Sequence, residues 1–144
     1  MEVSIYINTF HRGHLSKGVG LYGIVLEYIK PNGEPHTKEI FDKVNPVTKN
    51  RTSLLACIKA LEEIKKPCEV TLYVNNRYIT EIVNQRWYLN WDFELWENKG
   101  KPIPNAELWQ QLLIQMEIHN ITFIYEEETI YTSYIKTMLK KIKE

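Results

Sequence analysis

The chain is short of aspartate, cysteine and net charge, and each shortage closes off a class of protein. Only Asp42 and Asp92 are aspartate among 144 residues, so a divalent-cation site would have to draw on glutamate. Two cysteines, Cys57 and Cys68, are too few for a disulfide framework and lack a zinc-type C-x-x-C spacing. They read as buried thiols of a reducing compartment. Lys+Arg and Asp+Glu balance at 18 each, so no overall basic field draws the molecule to nucleic acid; only a local patch could. No apolar run reaches the ~18 residues of a membrane span, and the opening MEVSIYI has neither a basic n-region nor an apolar h-region. The expectation is a cytoplasmic protein without membrane contact, with one domain over 1–144. Walker-type loops, a nucleophile elbow and internal repeats are also absent.

What is present is a strong alternation of elements. Residues 3–10, VSIYINTF, alternate as a half-buried strand, with Val3, Ile5 and Ile7 on one face. Leu21 to Ile29 predicts a second strand, and Pro31-Asn32-Gly33-Glu34-Pro35 turns the chain into a third, from about His36 to Val44. Leu54, Leu55, Ile58, Leu61 and Ile64 then recur at helical spacing, with Asn50 or Thr52 as cap and Lys65-Lys66-Pro67 as the stop. Val70 to Val74 is a short β-branched strand, followed by the polar pair Asn75-Asn76 and a helical pattern through Ile79, Ile82 and Val83. Ligand sites of α/β units lie beyond the strand's carboxyl end, which places Asn75 and Asn76 where chemistry is expected. A helix capped by Asn105 with Leu108, Trp109, Leu112, Leu113 and Met116 inward, and a last strand at Ile121–Tyr125, complete the pattern.

The segment K-N-R-T-S-L at 49–54, followed about twenty residues on by V-T-L-Y-V-N-N-R-Y, resembles type 1 ribonuclease H, whose pattern there reads N-N-R-x-E-L and then T-D-S-x-Y. The resemblance implies an α/β ribonuclease H-like fold: a five-stranded mixed sheet, three antiparallel strands first, with helices on both faces. It also implies where two-metal carboxylates would stand. They are occupied by Asn8 (Ile7-Asn8-Thr9 where the family reads T-D-G), Ser53, Asn75 and, by alignment in the C-terminal segment, Lys136. Two-metal hydrolysis needs several carboxylates to hold two cations, and neutral amides and hydroxyls cannot offset the dehydration of a small hard ion. No catalytic residue, no metal site and no cofactor are therefore expected; Mg²⁺ or Mn²⁺ enters only if ligands have moved. Glu126, Glu127 and Glu128 are the candidates for such a move, against the alternative of a solvated loop. His11 and His14, an H-x-x-H, stand either as metal ligands or as plain loop histidines.

The resemblance further implies that Asn50, Arg51 and Asn76 touch the sugar-phosphate backbone of a hybrid; alternatively Asn50 caps the helix and Arg51 pairs at the surface. The stretch 86–104, with Trp87, Trp91 and Trp96, is similar in place to the basic handle of some family members. Here Asp92, Glu94 and Glu97 sit among the aromatics, which would oppose phosphate. The aromatics either pack the handle onto its own helix or form a patch for a protein partner. The expected function is an inactive homologue that retains at most weak, shape-based binding to RNA/DNA hybrid or duplex RNA. The alternatives are a protein-interaction module built on the handle and an active nuclease with relocated ligands.

Overall fold

The computed structural model describes residues 1–13 and 18–143. Strands β1 (Glu2–Arg12), β2 (Gly18–Ile29) and β3 (Pro35–Val47) form the leading antiparallel meander, each longer than its apolar alternation predicts. The turn between β2 and β3 closes through Lys30 N–H to the Glu34 carbonyl at 2.8 Å, and Gly33 takes the positive φ of 89° that it requires. Helix α1 (Lys49–Glu62) crosses to β4 (Glu69–Val74), which lies parallel to β1. Helix α2 (Arg77–Asn84), a 3₁₀ turn at Trp87–Asn90, and a two-stranded hairpin, β5 (Glu97–Asn98) with β6 (Lys101–Pro102), follow. Then come α3 (Ala106–Ile118), β7 (Asn120–Tyr125) parallel to β4, and α4 (Thr132–Lys143).

The main sheet runs β3-β2-β1-β4-β7, the expected five-stranded mixed sheet. One face carries Ile5, Ile7, Ile24, Leu72, Val74 and Phe123 under α1, α2 and α3; on the other, Leu21 and Val25 pack against Ile135 and Leu139 of α4. Two glycines set how closely these helices approach β2. A Cβ at Gly20 would lie 2.0 Å from Thr52 Oγ1 on α1, and one at Gly23 would lie 2.4 Å from Ile135 Cγ2 on α4. Gly23 pairs with Asn8 in the β1–β2 register, so the same close approach brings the start of α4 to Asn8.

The caps differ from expectation. Thr48, not Asn50 or Thr52, caps α1, its Oγ1 accepting the Arg51 N–H at 3.2 Å; the helix begins one turn earlier than the apolar period shows because its first turn is polar. Asn105 stands at the cap position of α3 but is left-handed (φ 60°), makes no side-chain cap bond, and directs its Oδ1 to Arg51 instead. No helix among the described residues is long and apolar enough to cross a membrane.

Candidate functional site

The site lies where β1 and β4, neighbouring parallel strands, end together. Ile7 pairs with Val74, so Asn8 and Asn75 follow side by side. Alternation on β1 sends Asn8 to the α4 face and Thr9 to the α1 face, and this splits the site in two.

On the α1 side Thr9 is the hub. Asn75 Oδ1 accepts the Thr9 N–H at 2.9 Å and the Thr9 hydroxyl at 3.1 Å, while Asn75 Nδ2 donates to the Thr9 carbonyl at 3.0 Å. Thr9 has one hydroxyl proton and directs it to Asn75, so the 3.0 Å contact with Ser53 Oγ is a bond donated by Ser53. Asn76 Nδ2 donates to Ser53 Oγ at 3.1 Å and to Asn50 Oδ1 at 3.0 Å; its Oδ1 caps α2 by accepting the Ile79 N–H at 3.0 Å. Asn76 is therefore a buried keystone with its polar atoms engaged inside the protein.

On the α4 side Asn8, 1% exposed, accepts the Thr132 hydroxyl at 2.9 Å and donates to the Glu127 carbonyl at 3.2 Å. α4 thus presents Thr132 to Asn8. Lys136 lies one helical turn further on, half-exposed, with its Nζ 3.6 Å from Glu128. Thr9 and Thr132 are the two site residues that sequence reasoning passed over. The signal for Thr9 was the replacement of the glycine in T-D-G.

These residues do not fit a pair of divalent cations. The side-chain oxygens at the carboxylate positions are neutral, and each already takes part in hydrogen bonds within the protein. The Thr9 side chain stands between Ser53 and Asn75. A cation there would have to displace buried bonds without gaining a compensating charge. Glu126, Glu127 and Glu128 do not converge: Glu127 meets the Tyr125 hydroxyl and Glu128 meets Lys136. Among the described residues no three His, Cys, Asp or Glu are grouped to hold a metal ion. His11 lines a cleft beside α4; His14, its H-x-x-H partner, lies outside the described residues.

Above the network is a shallow groove of about 260 Å³ lined by Lys49, Asn50, Arg77, Tyr125 and Glu127 among others. The Arg77 guanidinium lies 4.2 Å from the Tyr125 ring centre. Of the expected backbone contacts, half-buried Asn50 lines this groove, whereas Arg51 is tied to α3 by Nη1 bonds to Glu107 at 2.8 Å and Asn105 at 3.2 Å. The handle also divides. Trp91 is buried edge-on against Trp109 at 5.3 Å, and Trp96 packs beside it at 6.4 Å. Trp87, Leu89, Phe93 and Leu95 remain exposed, and Asp92 closes the turn by accepting the Glu94 and Leu95 N–H groups.

The RNase H family model matches residues 4–127. The chain belongs to the ribonuclease H family. It is 36% identical over 126 residues to a Ribonuclease H of Lachnoclostridium phytofermentans, covering 87% of this chain and 79% of that one. It is 37% identical over 125 residues to a Ribonuclease H of Clostridium botulinum, covering 85% and 80%. Among solved structures it is similar to LC9-RNase H1, a type 1 RNase H with the type 2 active-site motif, with TM-score 0.80, 21% identity and coverage of 95% of this chain and 69% of that one. LC11-RNase H1, solved in complex with an RNA/DNA hybrid, matches with TM-score 0.64 and 18% identity over 99% of each chain. At these identities the two structures speak for the ribonuclease H fold alone.

Proposed function

We propose that this ribonuclease H homologue works in the cytoplasm as a binder of RNA/DNA hybrid or duplex RNA and does not cleave it, using no metal cofactor. The observation that carries the reading is the Thr9–Asn75–Ser53 network: where the family resemblance calls for cation-binding carboxylates, neutral groups bond to one another. Binding is supported by family membership, by the hybrid held in the LC11-RNase H1 structure, and by the Lys49–Asn50–Arg77–Tyr125 groove beside the network. Recognition of this kind rests on helix shape and 2′-hydroxyls and needs no metal. The test is a labelled RNA/DNA hybrid incubated with the protein in Mg²⁺ or Mn²⁺. A retarded band without product is expected. Product above a mock preparation, lost on mutating Glu126, Glu127 and Glu128 together, would replace this reading with a relocated nuclease.

A second reading, a protein-interaction module, draws on the handle. Four large apolar side chains within nine residues, from Phe93 at 46% to Leu95 at 67% exposed, exceed the scattered apolar exposure of an ordinary surface. Trp87→Ser/Leu95→Ser with unchanged hybrid binding and a lost cellular partner would favour it.

A further inference from the structure

The chain is neutral overall, yet its positive charge is not evenly spread. From Thr132 to Lys143, TSYIKTMLKKIK has four lysines and no acid. Ile135 and Leu139 face the sheet, while Lys136 and Lys140 border a cleft of about 310 Å³ with His11 and Arg12 from the end of β1. Its apolar lining is Phe10, Leu21 and Leu139. Lysines in the last turn of a helix complement its dipole, which accounts for Lys140 and its successors. That effect does not account for Lys136, near the helix start, or for Arg12, which belongs to a strand. Like charges four residues apart on a helix are unfavourable, so the fold alone gives no reason to place Lys136 above Lys140. Among the described residues Lys136 pairs with Glu128 at 3.6 Å with both ends exposed, and Arg12 and Lys140 are in no ion pair.

We propose that this cleft seats the sugar-phosphate backbone of a bound polynucleotide strand. The inference rests on the hybrid-binding reading and extends it to residues outside the family motifs. The cleft adjoins the neutral site on both of its walls: Phe10 is two residues beyond Asn8 on β1, and Lys136 one turn beyond Thr132 on α4. Exposed cations on two elements, flanking an apolar strip, match a repeating phosphate–sugar–phosphate chain. A lone inorganic anion would find only single exposed cations.

The test is the salt dependence of hybrid affinity, read by fluorescence anisotropy of a labelled RNA/DNA hybrid between about 50 and 200 mM salt. Arg12→Gln/Lys136→Gln/Lys140→Gln is compared with the unmodified protein and with Lys59→Gln/Lys65→Gln/Lys66→Gln, which removes as many charges around the far end of α1. The cleft variant should keep its melting temperature, bind at least tenfold more weakly at the lowest salt, and show a log–log slope flatter by about two to three units, near one per lost phosphate contact. The control should match the unmodified protein. An unchanged slope in the cleft variant, or an equal flattening in the control, overturns the cleft and leaves the hybrid-binding reading standing. No binding by the unmodified protein overturns both.

Discussion

Asn75 holds Thr9 as a neighbouring strand would, accepting its backbone N–H at 2.9 Å and donating to its carbonyl at 3.0 Å. At pH 7 an amide can do both and an ionised carboxyl cannot. A carboxylate at this position would keep the first bond and set an oxygen against the Thr9 carbonyl in a buried setting. Asn75→Asp should therefore destabilise the protein by about 1–3 kcal/mol at pH 7. Burial and the facing carbonyl raise the folded pKa of such an aspartate above its unfolded value of about 3.9. The penalty is thus absent below the unfolded pKa, where the neutral acid can donate to the carbonyl, and grows as pH rises through the folded one. Urea melts of both proteins from pH 3.5 to 8 check this; a constant difference across that range would contradict it.

Restoring carboxylates alone should not restore a cation site, because the Thr9 side chain occupies the space between Ser53 and Asn75. The unmodified protein should melt at the same temperature in EDTA and in millimolar Mg²⁺ or Mn²⁺. Asn8→Asp/Ser53→Glu/Asn75→Asp combined with Thr132→Asp, the α4 residue that meets Asn8, should be destabilised by mutual repulsion and still gain little from metal. Adding Thr9→Gly opens the space, and metal should then stabilise by up to about 2.7 kcal/mol at a hundredfold Kd. A metal-dependent rise in the unmodified protein would mean that a cation site exists and that the metal-free reading is wrong.

Arg51 bonds Glu107 and Asn105 across 54 and more residues of sequence, so the first turn of α1 is pinned to the start of α3. Both ends of the ion pair are substantially exposed, at 37% and 61%, and such pairs contribute at most about 1 kcal/mol. Arg51→Ala should cost no more than that in a thermal melt and leave the salt slope of hybrid binding unchanged. Glu107→Gln, by freeing the guanidinium, should steepen the slope by about one unit. A flattened slope in Arg51→Ala would assign it to the hybrid after all.

The sheet and the α1–β4–α2 unit were legible because their apolar residues repeat with the period of each element. The register of α4 was not. Thr132 and Lys136 are one turn apart, and a pattern that repeats every three or four residues cannot separate positions differing by a turn. The role of Thr9 was hidden for another reason. Alternation assigns it a face, but its partners Ser53 and Asn75 lie 44 and 66 residues away. The choice of Thr48 as cap, and of Arg51 as a tie to α3, likewise depends on which groups tertiary packing brings within reach.

The far end of the sheet supplies a pH test independent of the site. His119, 3% exposed at the end of α3, accepts the Cys68 N–H on Nδ1 at 3.1 Å, so its remaining proton is on Nε2, which has no partner among the described residues. Burial holds its pKa below the ordinary histidine value. The unfolded chain therefore binds a proton at His119 more readily than the folded one. Stability from this group is complete above the unfolded value of about 6.5 and is lost as pH falls toward the folded pKa, where protonating Nδ1 would break the bond to Cys68. Urea midpoints measured from pH 8 down to 5 should be level to about 6.5 and then decline. In His119→Gln, whose side-chain carbonyl can accept the same N–H, the midpoint should be lower at pH 8 and the decline smaller. If both proteins decline alike, the acid sensitivity belongs to other groups and His119 does not supply it.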